Sequence, residues 1–305
     1  MPVLLCLYAS LFFFAAGDIL LPNMSEVMLL NKKLHTILAI LLLSIFLPNT
    51  FLLIRKQIHD SGAERAYLEA MELAQGKESP MEIPETTEPE ESTVPPAETI
   101  WVPAPIAETD SNLQQLQQID LEALRQVNPD VLGWILIPET KINYPILQGT
   151  DNEFYLDHTW QKHRNYAGAI FLEYQNKSDF SDYNTIVYGH NMKNGTMFAS
   201  VRSYRNQEYY ESHPNVYLVT DQGIFLYEIF SSHLAPLDSM TFGMSMKQEN
   251  TRQEFLDYVI SESVIESSVV PTVTDPILTL STCSGSGYTK RWVIHARLQM
   301  IPVMQ

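Results

Sequence analysis

Leu278-Thr279-Leu280-Ser281-Thr282-Cys283 is followed, across the short loop Ser284 to Lys290, by Arg291-Trp292-Val293-Ile294-His295-Ala296-Arg297-Leu298. Two β-type runs this close in sequence predict an antiparallel hairpin, because a short connection leaves two extended segments side by side. Pairing in that sense brings Arg291 beside Cys283. Apart from Cys6, in an apolar stretch at the N-terminus, Cys283 is the only cysteine in the chain. No intramolecular disulfide is therefore expected in the folded part. A thiol left unpaired where disulfides are permitted reads as a reagent more than as a staple.

Upstream of the hairpin the same pattern of short apolar runs between turn residues recurs. It is seen at Gly133 to Ile137, Ile142 to Leu147, Gly168 to Glu173, Thr185 to Gly189, Val216 to Thr220 and Gly223 to Ser231. With Ile277 to Thr282 and Trp292 to Met300 this predicts about eight strands. A helix is expected from an N-cap at Ser111 to about Val127, with Leu113, Leu116, Ile119, Leu121 and Leu124 as its apolar stripe and Asn128-Pro129 as its stop. A second is expected from Thr251 to about Ser267, with Phe255, Val259, Ile260 and Val264 on one face. The fold class is mainly β. Many short strands, a leading helix and one long helix inserted between late strands suggest a closed or nearly closed barrel rather than a doubly wound sheet.

The N-terminal third reads differently. Residues 1–30 hold a short apolar run, VLLCLYASLFFFAAG at 3–17, which is either a further membrane segment or sequence before a true start at Met24 or Met28. Residues 31–57 contain TILAILLLSIFLPNTFLLI from Thr36 to Ile54, long enough to cross a hydrocarbon core of roughly 30 Å as a helix. Pro48 and Asn49 are expected to kink it. The run exceeds the apolar region of a cleavable signal and no small-residue cleavage pattern follows it, so it reads as a retained anchor. Residues 58–110 are expected to be a short helix, Ala63 to Gln75, and then an acidic, Pro-rich spacer. Glu78 to Glu98 carries seven Glu, five Pro and no Lys or Arg and cannot bury enough apolar area to offset backbone ordering. Residues 111–305 are the expected catalytic domain.

The net charge of -17, from 36 acidic against 19 basic side chains, excludes a nucleic-acid binder, which needs clustered cations to neutralise phosphates. Cys283 needs a base or cation nearby to populate its thiolate at neutral pH. His190 is the leading candidate among eight histidines: Val187-Tyr188-Gly189-His190-Asn191-Met192 puts it where an apolar strand gives way to turn-prone Asn191, Asn194 and Gly195. A rigid strand ending in an accessible loop suits a functional histidine, and equally an ordinary surface one. Arg291 beside Cys283 offers a permanent cation for a thiolate or oxyanion. His295 and Arg297 share the strand face of Arg291 and compete for these roles, unless they are simply buried or solvated.

TLSTC, eight positions before RWVIHARL, together with YGHNMKNGTMF far upstream, resembles the sortase family, cysteine transpeptidases that attach surface proteins to the Gram-positive cell wall. INYPILQGTDNEFYL, GAIFLEYQN and the late helix make the likeness closest to class B sortases, over about residues 111 to 300. The resemblance implies a closed eight-stranded sortase-type β-barrel. It assigns Cys283 as nucleophile, His190 as acid or base and Arg291 as oxyanion or substrate clamp. It places Asn152, Leu156, Tyr188, Ser281 and Thr282 along the peptide groove. The Gly- and Ser-rich loop Ser284 to Gly287 departs from the more acidic or bulky loops of some relatives. No metal is expected, because no close His and Cys cluster with ligand spacing is present in the sequence, and no cofactor is expected.

The implied partners are surface proteins with a C-terminal sorting signal of NPxT-like type, and an amine of peptidoglycan or its lipid-linked precursor. The implied setting is a cell-membrane anchor, single-pass or two-pass, with the catalytic domain outside. Three alternatives stay open from the residues: a pilin polymerase using a lysine acceptor, an unrelated cysteine hydrolase, and a non-catalytic anchored binding module.

Overall fold

Short apolar runs between turn residues make strands, and a sheet whose first and last strands pair closes into a barrel. The computed structural model describes residues 24–76, 99–106, 110–244, 246–283 and 289–304. The run at 3–17, the segment Glu78 to Glu98 and the loop 284–288 lie outside them. In chain order the elements are α1 (Met24–Gln75), β1 (Thr99–Pro103), α2 (Ser111–Gln117), α3 (Leu121–Val127), β2 (Val131–Leu136), β3 (Asn143–Leu147), β4 (Ile170–Leu172) and β5 (Asn184–Gly189). Then follow α4 (Gln207–Ser212), β6 (Asn215–Thr220), β7 (Gly223–Pro236), α5 (Glu249–Ser261), β8 (Ile277–Cys283), β9 (Lys290–Leu298) and β10 (Met300–Met304).

Eight strands close into a barrel in the order β2-β3-β4-β5-β8-β9-β7-β6. Two pairs, β3 with β4 and β5 with β8, run parallel, and the others antiparallel. Closure leaves no unpaired edge, and the interior is filled by side chains such as Ile135, Ile146, Ile170, Leu278, Leu280 and Ile294. Every strand expected from the sequence is present. The largest extension is in β7, which runs to Pro236 with a bulge between Ile229 and Ser231, so that its first half pairs with β6 and its second with β9.

The parallel neighbours β5 and β8 require a long crossover. Part of that crossover is α5, which buries Phe255, Leu256 and Val259 against Phe230, Met246 and Ile277. The expected helix to Ser267 is cut short at Ser261. Val264 lies beyond the helix and gives its N–H to the Ser232 carbonyl, 2.8 Å away, while Ile260 and Val264 stay exposed. The leading helix is likewise two helices. Asp110, not Ser111, caps α2 by accepting from Asn112 N at 2.8 Å, and Asp120 caps α3 by accepting from Ala123 N at 2.8 Å. An aspartate side chain that accepts from backbone N–H groups in this way favours a helix start, so the second cap begins a separate helix.

The unit from Ile58 onward includes the last turns of α1. Ala63, Ala66, Tyr67, Ala70 and Ala74 form a small-residue face buried in the main core. Tyr67 Oη donates to Gly168 O (2.6 Å), and Trp160 Nε1 to Ala66 O (2.7 Å). The short helix expected at Ala63 to Gln75 is thus the end of a much longer one and packs on the barrel instead of belonging to a spacer. A second strand pair, β1 with β10, joins Thr99 to Met304 and Pro103 to Met300 in antiparallel register. The unit up to Gln57 contains the segment Lys32–Phe51, apolar and long enough to cross a membrane. The helix is unbroken through Pro48. Nearby, Ser44, Asn49 and Thr50 side chains bond to the carbonyls of Leu41, Ile45 and Phe46, so their polar atoms are satisfied within the helix.

Candidate active site

The strand β5 ends on Gly189, and the absence of a side chain there has a cause. A Cβ would stand 2.4 Å from Ile170 Cδ1 and 2.7 Å from Phe198 Cγ, inside contact distance. His190 follows, half-buried, with its carbonyl accepting from Phe198 N at 2.9 Å. Its Nε2 lies 2.6 Å from the carbonyl of Leu156. A carbonyl only accepts, so Nε2 carries the proton, and in the neutral ring Nδ1 holds the lone pair. Leu156 closes the 3-10 turn Phe154–Leu156, whose first N–H groups are capped by Asp151. Those N–H bonds, from Phe154 first and Glu153 second, lower the Asp151 carboxyl below its ordinary range. Gly168 backs the turn at φ +60°, where a Cβ would come within 2.6 Å of both Tyr155 O and Leu156 O.

Register brings the other candidates to the same rim. In the β8–β9 ladder Cys283 faces Arg291, Thr282 faces Trp292 and Ser281 faces Val293. In the β5–β8 ladder Tyr188 faces Ser281 and Gly189 faces Thr282. The side chain of Cys283 is outside the described residues, so its position is known from the backbone alone. A cleft of about 260 Å³ opens at this rim. Asn152, Leu156, Tyr188, His190, Ser281, Thr282 and Arg291 all line it. Of the eight residues singled out from the sequence, seven therefore share one cavity, and the eighth is the ladder partner of Arg291. Phe171, Leu237 and Phe242 complete its apolar wall. Sequence reasoning passed over Leu237 and Phe242 because they sit in an irregular connection after β7, with no periodicity to flag them.

One wall of the cleft is a polar cluster. Asn152 donates through Nδ2 to Glu173 Oε2 (2.6 Å) and accepts at Oδ1 from Tyr174 N (3.0 Å). Tyr188 Oη donates to the same Glu173 oxygen at 2.9 Å. Burial pushes the Tyr188 phenol well above its ordinary value, the Glu173 charge and bond push it further, and Arg291 opposes them. The tyrosine therefore stays a neutral donor at every working pH.

The rival candidates on β9 are accounted for. His295 is fully buried, stacked 5.2 Å from His233, with Nδ1 2.9 Å from Thr279 Oγ1. Arg297 is held by Glu228 at 3.0 Å and Asp275 at 3.7 Å. Neither lines the cleft.

A thiol-bearing strand end, an imidazole with one nitrogen fixed by a carbonyl, and a guanidinium at one rim form the set needed for acyl transfer through a cysteine. They define the class of cysteine acyl-transfer enzymes on a closed barrel. The family model described as the Sortase domain matches residues 135–299. Sortase B of Listeria monocytogenes is 37% identical over 181 residues, covering 59% of this chain and 74% of the relative. Among solved structures, a Staphylococcus aureus sortase B–substrate complex matches with TM-score 0.57 and 33% identity, over 62% of this chain and 86% of the other. A sortase B complexed with triglycine matches with TM-score 0.56 and 34% identity, over 59% and 85%. The chain belongs to the sortase family and is a cysteine transpeptidase of the sortase B type.

Proposed function

We propose that this protein is a membrane-anchored sortase that joins a surface protein to a cell-wall amine. In this reading Cys283 attacks the carbonyl of a threonine in an NPxT-like sorting signal. The carbon–nitrogen bond after the threonine breaks, a thioacyl enzyme forms, and His190 gives its proton to the departing amine. An incoming amine of peptidoglycan or its lipid-linked precursor then loses a proton to His190 and displaces the sulfur. Arg291 steadies the oxyanion, a task for which a planar, permanently charged fork is better suited than an ammonium. Asn152, Leu156, Tyr188, Ser281 and Thr282 bind the donor peptide.

The support is the convergence of these side chains on one cleft, with Cys283 directly opposite Arg291 in the ladder. The solved relatives in complex with a substrate and with triglycine support a peptide donor and an amine acceptor. The apolar segment Lys32–Phe51 supports a membrane anchor, with the catalytic domain outside the cell. The test is mass spectrometry of the enzyme incubated with threonine-containing sorting peptides and no amine. The expected result is a peptide acyl adduct on Cys283 that an added amine discharges. An adduct elsewhere, or transfer that persists in Cys283→Ala, rejects the mechanism.

A further inference from the structure

Glu173 is a buried carboxylate that sequence reading did not single out, and it does not itself line the cleft. It stands directly behind two residues that do. A single oxygen, Oε2, receives both Asn152 Nδ2 (2.6 Å) and Tyr188 Oη (2.9 Å), and Oε1 lies 3.4 Å from Gln175 N. We propose that Glu173 is a positioning residue which fixes the hydrogen-bond polarity of the donor-peptide wall. The inference rests on the transpeptidase reading of this cleft and goes one step deeper into it.

The hydrogen-bond inventory carries the argument. An asparagine amide can flip, exchanging donor and acceptor ends. Here the flip is blocked from both sides: the carboxylate accepts only, and Tyr174 N donates only, to Oδ1 at 3.0 Å. A phenol can also turn, offering either its proton or its lone pair. Donation to Glu173 spends the Tyr188 proton. What remains for a ligand is one N–H of Asn152 and one lone pair of Tyr188. The wall thus presents one donor and one acceptor of fixed identity, which complements a peptide amide group of the donor segment. Without Glu173 the Tyr188 phenol could present either its proton or its lone pair and the Asn152 amide would keep only its Tyr174 restraint, so more of the ordering would fall on substrate binding.

The main chain around Glu173 is held independently of its carboxylate. Gln148 Nε2 donates to Glu173 O (3.0 Å) and Asn176 O (2.8 Å), and Glu173 N donates to Ile186 O (2.8 Å). Side-chain replacement should therefore leave the loop in place. Glu173→Gln keeps an acceptor oxygen for both donors, whereas Glu173→Ala removes it.

The test is steady-state transpeptidation with separate saturation of donor peptide and acceptor amine. Glu173→Ala is expected to raise donor KM about tenfold, in line with the loss of charge-assisted bonds. The amine KM and the melting temperature should stay near wild type, and Glu173→Gln should recover most of the donor KM. An unchanged donor KM in Glu173→Ala overturns the proposal. So does a rise in both KM values with a lowered melting temperature, which marks a merely structural role. Wild-type enzyme that transfers no peptide would instead reject the transpeptidase reading. Positioning is then judged by the Asn152 side-chain amide in a ¹⁵N spectrum, where slow proton exchange in wild type and fast exchange in Glu173→Ala uphold it, and identical spectra sink it.

Discussion

His190 and His295 stand on neighbouring parts of one barrel and have opposite surroundings. His190 sits one residue beyond the end of β5, half-buried, with Nε2 on the Leu156 carbonyl and the cleft in front of it. His295 lies in the middle of β9, fully buried between His233 and Phe255. Its tautomer is also determined. The Thr279 hydroxyl proton goes to Asn184 Oδ1 at 2.7 Å, so His295 Nδ1 must donate to the Thr279 oxygen, leaving Nε2 as a buried lone pair without a partner among the described residues. An unpaired lone pair is tolerable in such a site, whereas a second proton there would be a buried charge. The strand delivers one imidazole to a place where a proton can come and go, and the other to a place where it cannot. Residue type is the same in both; depth along the strand decides the role.

The largest effects should come from the cleft. Cys283→Ala is expected to lower transpeptidation by at least about 10³-fold, since no other described residue of the cleft supplies a thiolate. His190→Ala should lower kcat/KM by about 10²- to 10⁴-fold, the range for loss of a general acid–base. His295→Phe should leave kcat/KM within a few-fold of wild type. Equal losses on removing either histidine would break the contrast between rim and core.

That contrast was partly legible in the sequence. The strand ends at Gly189-His190 and Thr282-Cys283, and the short hairpin to Arg291, are local features, and local features survive without knowledge of the partner strand. The hairpin favoured Arg291 over the other two candidates on β9, but what removes those two from the cleft was not legible. Alternation puts Arg291, His295 and Arg297 on similar terms, and only α5 packing over His295 and the carboxylates of Glu228 and Asp275 beside Arg297 separate them. The strand Thr99–Pro103 was hidden for the same reason, because its partner Met300–Met304 lies at the other end of the chain. Glu173 was hidden because its importance is a matter of what converges on it.

The buried pair makes a prediction about pH. Burial lowers His233 from 6.5 to about 4, and it lowers His295 well below its ordinary value, with the neighbouring His233 adding to the effect. Each is therefore neutral in the folded state at a pH where the unfolded chain already binds a proton. The stability these groups confer is complete above pH 6.5 and is lost as pH falls toward 4 and, for His295, further. For His233 the loss is on the order of 3 kcal/mol across that window. Urea unfolding at about pH 7.5, 6, 5 and 4 should show this decline. In His295→Phe, which leaves the Thr279 proton on Asn184, the slope should be shallower. A slope identical to wild type would mean that His295 is not held neutral by burial.

The smallest effect expected is also the most direct probe of how the rim histidine is held. Gly168→Ala forces a Cβ into the left-handed region, at a cost of about 1–2 kcal/mol, and toward the Tyr155 and Leu156 carbonyls. If the Leu156 carbonyl sets the tautomer of His190, shifting that carbonyl should alter the pH–rate profile as well as the melting temperature. The expected outcome is a melting temperature lowered by a few degrees together with a displaced limb of the kcat/KM profile, the limb that belongs to His190. Loss of stability with an unmoved profile would separate the two, and would show that His190 keeps its proton arrangement without the carbonyl that now touches it.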